Sequence, residues 1–424
     1  MFGWEFPPHI SGGLGTACYG LTKGLALNGV QVTFVMPHAF GDEDENYVRI
    51  RNASDVEIDT GSPVFREHFP NTTFIEVNSR LIPYVGLDGY YNVINQLGSG
   101  VLEQEFSGTR RKHNFASGYG PDLMQEVNLY AEVAAEIAKQ EDFDLIHAHD
   151  WLTYRAGIAA KRVSGKPLVV HIHATEFDRS GEHNLNDIVY GMEREGMSAA
   201  DAVCAVSDLT RKIVIEKYGI PAEKVFTLHN AVVPSDKKIV RKKNVNEKIV
   251  TFLGRVTFQK GPDYFVETAL RVLEKDPDVR FVLAGDGDMM KHIIERVAEL
   301  GISDRFHFTG FLHGADIDKM FGMSDVYVMP SISEPFGISP LEAMRAKVPV
   351  VISKQSGVAE VLRHAIKVDF WDIDATADAI YGLLHYPALS KLFADKGEEE
   401  VNNLKWENVA KKLKVIYEKT LRYE

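Results

Sequence analysis

Short apolar runs alternate with longer amphipathic stretches along most of this chain. VQVTFVM, DLIHAH, PLVVHIHA, AVCAV and VFTLH are each a few residues long, and segments with helical spacing separate them. Continuous apolar runs of this length suit strands covered on both faces, and strand-helix alternation predicts a parallel sheet. Met1-Phe2-Gly3-Trp4 reads as the tail of a first strand, with the start of that strand missing. The stretch from Tyr90 to Gly120 is a long Gly-, Ser- and Arg-containing loop of the functional or mobile kind, followed by the helix LMQEVNLYAEVAAEIAKQ. The alternation lapses in PSDKKIVRKKNVNEK, a cation-rich, weakly periodic stretch that reads as a solvated linker. It restarts with IVTFLGR, VRFVLAG, RFHFTGF, DVYVMPS and VPVVIS, and closes on the amphipathic helix WENVAKKLKVIYEKTLRY. The expected fold class is therefore α/β, with two Rossmann-like doubly wound parallel-sheet domains facing a central cleft. The expected boundaries are 1–232, a linker over 233–248, a second domain over 249–405 and a final helix over 406–424.

A length of 424 residues exceeds one ordinary core and agrees with two domains. The formal net charge of −13 opposes binding to nucleic acid or an anionic membrane and favours a neutral polyhydroxyl partner. Only Cys18 and Cys204 are present, so a disulfide framework is not expected and a reducing, cytoplasmic setting is. The chain shows neither a leader pattern nor an apolar run of the roughly 18–20 residues needed to span a bilayer.

Ligands of doubly wound sheets bind beyond the carboxyl ends of the strands, so chemistry is sought there. Ser11 to Gly15, SGGLG, follows the first strand and precedes a helix expected to begin near Ala17. Gly12 and Gly13 would let amides approach an anion at a helix N-terminus, although a tight turn alone also calls for glycine. In GRVTFQKG, Arg255 and Lys260 lie just past a strand, with Pro262 placed to start a helix. Two cations on one short loop can clamp a diphosphate; the plainer alternative is a pair of solvated loop charges. SEPFGISPLEAM follows the strand DVYVMPS and carries Glu334, Gly337 and Glu342. Glu342 suits two ribose hydroxyls, but Ser339-Pro340-Leu341-Glu342 is also a capping box in which it would serve only a backbone amide.

His147 and His149, then His171 and His173, form a His-x-His pair on each of two strands, a pattern that can bind metal. Supporting carboxylates are missing apart from Asp150, so the reading is of neutral imidazoles hydrogen-bonding a sugar or the chain, with no metal. Asp-x-Asp triplets at Asp42, Asp142, Asp316 and Asp372 read as solvated or capping residues. AGDGD, Ala284 to Asp288, lacks the remaining features of a dinucleotide fingerprint and is set aside. Neither a serine nucleophile elbow nor a P-loop occurs.

SGGLG, HAHDW, VHIHAT, HNAV, GRVTFQKG and SEPFGISPLEAM, in this order, resemble the retaining GT-B glycosyltransferases of family 4 and their glycogen and starch synthase relatives. The resemblance implies that Arg255 and Lys260 hold the donor diphosphate, and that Gly12 and Gly13 approach it by their amides. It further implies that Glu334 contacts the transferred sugar, Glu342 the ribose, and Gly337 and Ile338 the donor. His173 would lie beside the donor sugar, Asp150 and His149 near sugar or acceptor, and the helix around Trp406 would cross back to the first domain. Where bacterial glycogen synthases usually carry Lys-x-Gly-Gly-Leu, this chain has Ile10-Ser11-Gly12-Gly13-Leu14, and it retains the second glutamate, Glu342. The implied activity is metal-independent, cofactor-free retaining transfer from ADP- or UDP-glucose to an α-1,4-glucan. The alternatives are an exopolysaccharide or lipid-linked glycan acceptor, a nucleotide-sugar epimerase, and a noncatalytic glycan-binding protein.

Overall fold

The computed structural model describes residues 1–9, 12–59, 110–113, 115, 123–181, 184–232, 243 and 245–422. Most of the expected loop from Tyr90 to Gly120 and of the expected linker lies outside the described residues.

In the first half, β1 (Thr33–Met36) pairs with β2 (Arg49–Asn52), and β3 (Glu57–Asp59) with β4 (Arg110–Lys112). The strands β5 (Ile146–His149), β6 (Leu168–Ile172), β7 (Ala202–Ala205) and β8 (Val225–Thr227) lie side by side in that order. Every pair is parallel except β3 with β4. Extended backbone at Phe2 joins β1 to β5, bridging Val35 on one side and Ala148 on the other. Its N–H donates to His147 O at 2.7 Å and its carbonyl accepts from His149 N at 3.1 Å, so the opening residues take the strand position expected of them. Residues of β5, β6 and β7 are all buried, as continuous apolar runs require when helices cover both faces.

The helices of this half are α1 (Gly13–Leu27), α2 (Leu123–Gln140), α3 (Trp151–Ser164), α4 (Glu176–Ser180), α5 (Asp187–Ala199) and α6 (Asp208–Tyr218). α1 begins at Gly13, one turn before the expected Ala17. A low helix propensity does not stop a helix whose first turn is fixed from outside, and here the buried Glu5 carboxylate accepts the Gly15 N–H at 3.1 Å.

The second half is one parallel sheet in the order β11 (Phe306–Gly310), β10 (Val279–Ala284), β9 (Lys248–Leu253), β12 (Val326–Met329), β13 (Val350–Ser353), β14 (Ile366–Val368). Counted from β9 this is the 3-2-1-4-5-6 order of a doubly wound nucleotide fold, with its switch point between β9 and β12. The apolar pattern did not single out β14, a three-residue strand at the sheet edge with two half-buried positions. Its helices are α7 (Pro262–Lys275), α8 (Met290–Glu299), α9 (Ala315–Met323), α10 (Ser339–Arg345), α11 (Val358–Val361), α12 (Ile373–His385), α13 (Pro387–Val401) and α14 (Trp406–Arg422). The amphipathic α14 leaves this half and packs on α1. A Cβ on Gly20 would lie 2.2 Å from Trp406 Nε1, and one on Gly24 2.6 Å from Trp406 O. Those two glycines let the helices approach closely enough to bury Trp406.

The halves meet through specific contacts. The Glu360 carboxylate accepts the Asp208 and Leu209 N–H groups at the start of α6, each at 2.8 Å. Buried Val206 joins the cluster of Phe336, Leu341 and Val358, and Gly357 lies so close to Ser207 that a Cβ would come within 2.4 Å of its Cβ.

Candidate active site

Arg255 and Lys260 follow β9 and Glu334 follows β12, so these three candidates straddle the switch point of the second sheet. Beyond β9 the chain keeps pairing with the end of β10: Gly254 N donates to Ala284 O at 3.0 Å and Val256 N to Asp286 O at 2.9 Å. Gly285 sits at φ +139, and a Cβ there would lie 1.8 Å from Gly254 O; one on Gly287 would lie 2.4 Å from Val256 O. The AGDGD motif thus forms the backbone floor that fixes Arg255, a role that sequence reasoning missed. Its signal was two glycines at the end of the neighbouring strand. Gly285→Ala is expected to push the Arg255 loop outward and weaken nucleotide diphosphate binding by about tenfold, measurable by calorimetry.

Gly261, at φ +65, turns the chain from Lys260 into Pro262 at the start of α7, and a Cβ on it would lie 2.2 Å from Pro330 O. Lys260 Nζ meets Glu334 Oε2 at 2.5 Å, with the two side chains 19% and 9% exposed. Glu334 is pinned by its backbone: its N–H donates to Gln355 O at 3.0 Å and its carbonyl accepts Gly357 N at 2.9 Å. Ser331 Oγ adds a 3.3 Å bond to the same carboxylate oxygen. Gly337 adopts φ +98, with the position of a Cβ only 3.1 Å from Glu334 Cγ, so glycine there admits the carboxylate.

The capping box, the alternative reading of Ser339 to Glu342, does not form. Ser339 Oγ bonds instead to Tyr327 OH at 2.7 Å, the cap position is Ile338, and no side chain caps the helix. The Glu342 carboxylate caps nothing, and burial raises its pKa above the usual carboxylate range. Ile338 faces the other half: its Cδ1 is 3.5 Å from where a Cβ on Gly13 would stand. Gly12 caps α1 in an extended conformation with open space at its α-carbon, so the N-terminus of α1 opens toward the α10 loop. First-turn amides of a helix have no partner inside it and favour an anion.

At the ends of β5 and β6, His173 N donates to Asp150 Oδ1 at 2.6 Å, and His149 Nδ1 lies 3.0 Å from His173 Nε2. Asp150 holds the left-handed φ of 59 and is buried, while His149 is wholly enclosed. Asp150 and His149, expected near sugar or acceptor, thus each bond His173, which is half-buried at the rim. Burial pushes the Asp150 carboxyl up to about 7, against the lowering effect of the His173 N–H and of Arg179. Burial also pushes His173 down to about 3, so its ring is neutral.

Residues 99–236 match the family described as Glycosyltransferase Family 4, and residues 235–400 match Glycosyl transferases group 1. The chain belongs to the family 4 glycosyltransferases. An uncharacterized glycosyltransferase of Methanocaldococcus jannaschii is 27% identical over 98% of this chain and 97% of its own. A glycogen synthase of Mycobacterium tuberculosis is 24% identical over 65% of this chain and 68% of its own. The UDP-Gal:alpha-D-GlcNAc-diphosphoundecaprenol alpha-1,3-galactosyltransferase of Escherichia coli is 24% identical over 70% and 82%. The sucrose-phosphate synthase structure from Thermosynechococcus elongatus superposes with a TM-score of 0.70 at 18% identity, covering 100% of this chain and 98% of that one. The fold of this family 4 glycosyltransferase is GT-B.

Within this glycosyltransferase a further bond joins the two halves, and sequence reasoning missed it. The buried Asp178 accepts Thr175 N at 2.8 Å and Thr175 Oγ1 at 2.7 Å through Oδ2, which starts α4 directly after His173. Its Oδ1 accepts Ser333 Oγ at 2.5 Å, from the residue preceding Glu334. Arg179, paired with Glu176 at 3.0 Å and with Glu193, anchors the same helix. Thr175-x-x-Asp178 is visible as a capping pattern, but a partner 155 positions away is not. The histidines form a stack, with ring centroids 4.4 Å apart for His147 and His149 and 4.5 Å for His171 and His173. His147, His149 and His171 each offer a ring nitrogen within 4.8 Å of the others, and Asp208 and Glu360 offer a carboxylate oxygen, with a His229 nitrogen, at the same spacing; these are the groups among the described residues that could hold a metal. The latter three are already engaged, since His229 Nε2 meets Glu360 at 2.6 Å and Asp208 accepts Thr227 Oγ1 at 2.5 Å. No described helix is long and apolar enough to cross a membrane.

Proposed function

We propose that this glycosyltransferase moves glucose, with retention of configuration and without metal, from ADP- or UDP-glucose to the end of an α-1,4-glucan in the cytoplasm. The observation that carries the reading is the Lys260–Glu334 pair at the switch point, a shielded cation beside a shielded carboxylate. On donor binding Lys260 exchanges Glu334 for the diphosphate, joined by Arg255 and by the amides of Gly12 and Gly13. Glu334, released, accepts hydroxyls of the transferred sugar, while Glu342, with burial already raising its pKa, accepts from the ribose. Gly337 and Ile338 border the donor. The neutral His173 stands beside the sugar, steadied from behind by His149 and Asp150.

The bond from anomeric carbon to phosphate oxygen breaks, and the bond from the same carbon to the acceptor oxygen forms. The acceptor proton goes to the leaving phosphate on that face, so no side-chain nucleophile is required. Fixed cations and helix termini that meet charge as it develops account for the acceleration.

The glycogen synthase relative supports a glucan acceptor, and the diphosphoundecaprenol-dependent relative supports the alternative of a lipid-linked one. Nucleotide release from a panel of sugar nucleotides, followed by radiolabel transfer to glycogen and anomeric NMR of the product, tests the proposal. Release with ADP- or UDP-glucose, label in glycogen and an α-anomer are expected. Transfer only to a lipid diphosphate sugar would replace the glucan reading. Interconversion of sugar nucleotides without transfer would point to an epimerase, and binding without turnover to a noncatalytic role.

A further inference from the structure

Outside the cleft, at the carboxyl end of β14, the chain exposes Trp371 to 57% of its free area. A concave site of about 240 Å³ opens beside it, lined by Glu267, Arg271, Trp371, Asp372, Ile373 and Asp374. A large indole left in water on an otherwise polar surface is a feature that ligands use. The neighbouring ionic groups narrow the class of ligand. Glu267 is engaged by Arg296 at 2.7 Å, Asp374 by Arg271 at 3.4 Å, and Asp372 caps α12 through the Ala375 N–H at 3.0 Å. Carboxylates so occupied are poor metal ligands, and three of them against the two guanidinium groups of Arg271 and Arg296 leave the rim net negative and unsuited to an anion. Their remaining lone pairs and the Arg271 N–H groups still suit hydroxyls.

An aromatic face rimmed by hydroxyl-binding groups fits a pyranose ring, whose C–H face packs on the indole while its edge hydrogen-bonds to the rim. The cavity is smaller than the roughly 300–1,000 Å³ of a site enclosing a whole drug-sized ligand, so one or two rings of a longer chain would seat there.

The site is tied to the cleft. Trp371 packs on Phe370 with centroids 4.8 Å apart, and Phe370 on Tyr264 at 5.0 Å. Tyr264 belongs to the first turn of α7, after the Lys260 loop, and a Cβ on Gly261 would lie 3.3 Å from its ring. Asp369 accepts Gln355 Nε2 at 2.9 Å, and Gln355 O receives the Glu334 N–H. We propose that Trp371 and this cavity form a second carbohydrate site, which holds a neutral oligosaccharide chain outside the cleft. That the chain is the acceptor glucan rests on the function proposed above; the site itself does not.

The protein carries its own reporter, because Trp4, Trp151 and Trp406, the other three tryptophans, are only 6%, 1% and 3% exposed. Acrylamide quenching of the wild type therefore reads Trp371. Maltoheptaose at millimolar concentration is expected to lower the quenching slope roughly twofold, with a Kd on the order of 1 mM, typical of a small single-platform site. Lys260→Ala, altered only in the cleft, is expected to show the same protection. Trp371→Ala is expected to migrate unretarded through a glycogen-containing native gel that slows the wild type, and to keep its turnover on short acceptors. Unchanged quenching at saturating maltoheptaose, or equal retardation of wild type and Trp371→Ala, would overturn the site. Protection in a protein that transfers no glucose would leave the site standing and remove the glucan transferase reading.

Discussion

Lys260→Ala is expected to slow sugar transfer by roughly 10²–10³, because it removes a preorganised cation from the place where the leaving diphosphate gains charge. The same change destabilises the protein. Glu334 bonds Lys260 at 2.5 Å with its side chain only 9% exposed, so deleting the lysine strands a shielded carboxylate. Stranding one partner of a buried pair costs about 3 kcal/mol, somewhat less here because Lys260 retains solvent contact. The two effects separate in Lys260→Ala combined with Glu334→Gln. That double variant is expected to recover most of the lost thermal stability and none of the turnover. Should Lys260→Ala alone transfer sugar at the wild-type rate, the diphosphate role of this loop fails.

The second large effect is acid instability. Burial holds His147, His149 and His171 well below the usual imidazole range and His173 at about 3, against 6.5 for an unperturbed ring. Between those values the unfolded chain binds protons that the folded chain refuses. Each such histidine contributes stability that is fully present above pH 6.5 and is lost as pH falls, by about 1.4 kcal/mol per pH unit. Asp150 opposes this: raised from 3.8 to about 7, it is protonated when folded and charged when unfolded across that window. Glu193 and Glu342, also raised by burial, act in the same direction as Asp150, but these three carboxylates do not cancel four imidazoles. The melting temperature is therefore expected to drop steeply below pH 6.5 and to level above pH 7, as calorimetry at several pH values will report. His171 has both ring nitrogens buried without a hydrogen-bond partner among the described residues, so His171→Leu is expected to flatten the acid slope by about one proton. A flat profile from pH 5 to 8 would contradict the neutral stack.

Asp150→Asn gives the complementary signature. Asparagine keeps an acceptor for the His173 N–H and carries no charge, so the variant is expected to gain stability over the wild type as pH rises from about 4 to about 7.

What could be read before the fold was known follows the range of each interaction. Parallel β–α alternation is written into local apolar runs, so β1, β5 to β13 and the final helix were legible, whereas the short, polar β2, β3 and β4 were not, and β4 falls inside the stretch expected to be a loop. Arg255, Lys260 and Glu334 were legible as candidates because strand ends announce themselves in the chain. The start of α1 at Gly13 was not, since the Glu5 carboxylate that fixes its first turn lies ten positions before the Gly15 amide it accepts. Nor was the failure of the Ser339 capping box, decided by a competing tyrosine on β12. The bonds from Asp150 and His149 to His173 were not legible either, since they join the ends of two neighbouring strands more than twenty positions apart. The Asp178–Ser333 bond joins segments that meet only when the two halves come together, and the glycine floor under Arg255 forms only when β9 and β10 pair.

A crystal structure with UDP or ADP bound tests the central claim most directly. The account predicts the diphosphate within hydrogen-bonding distance of Arg255 and Lys260, and the ribose hydroxyls on Glu342. A nucleotide seated anywhere else, with Lys260 still closed on Glu334, would contradict it.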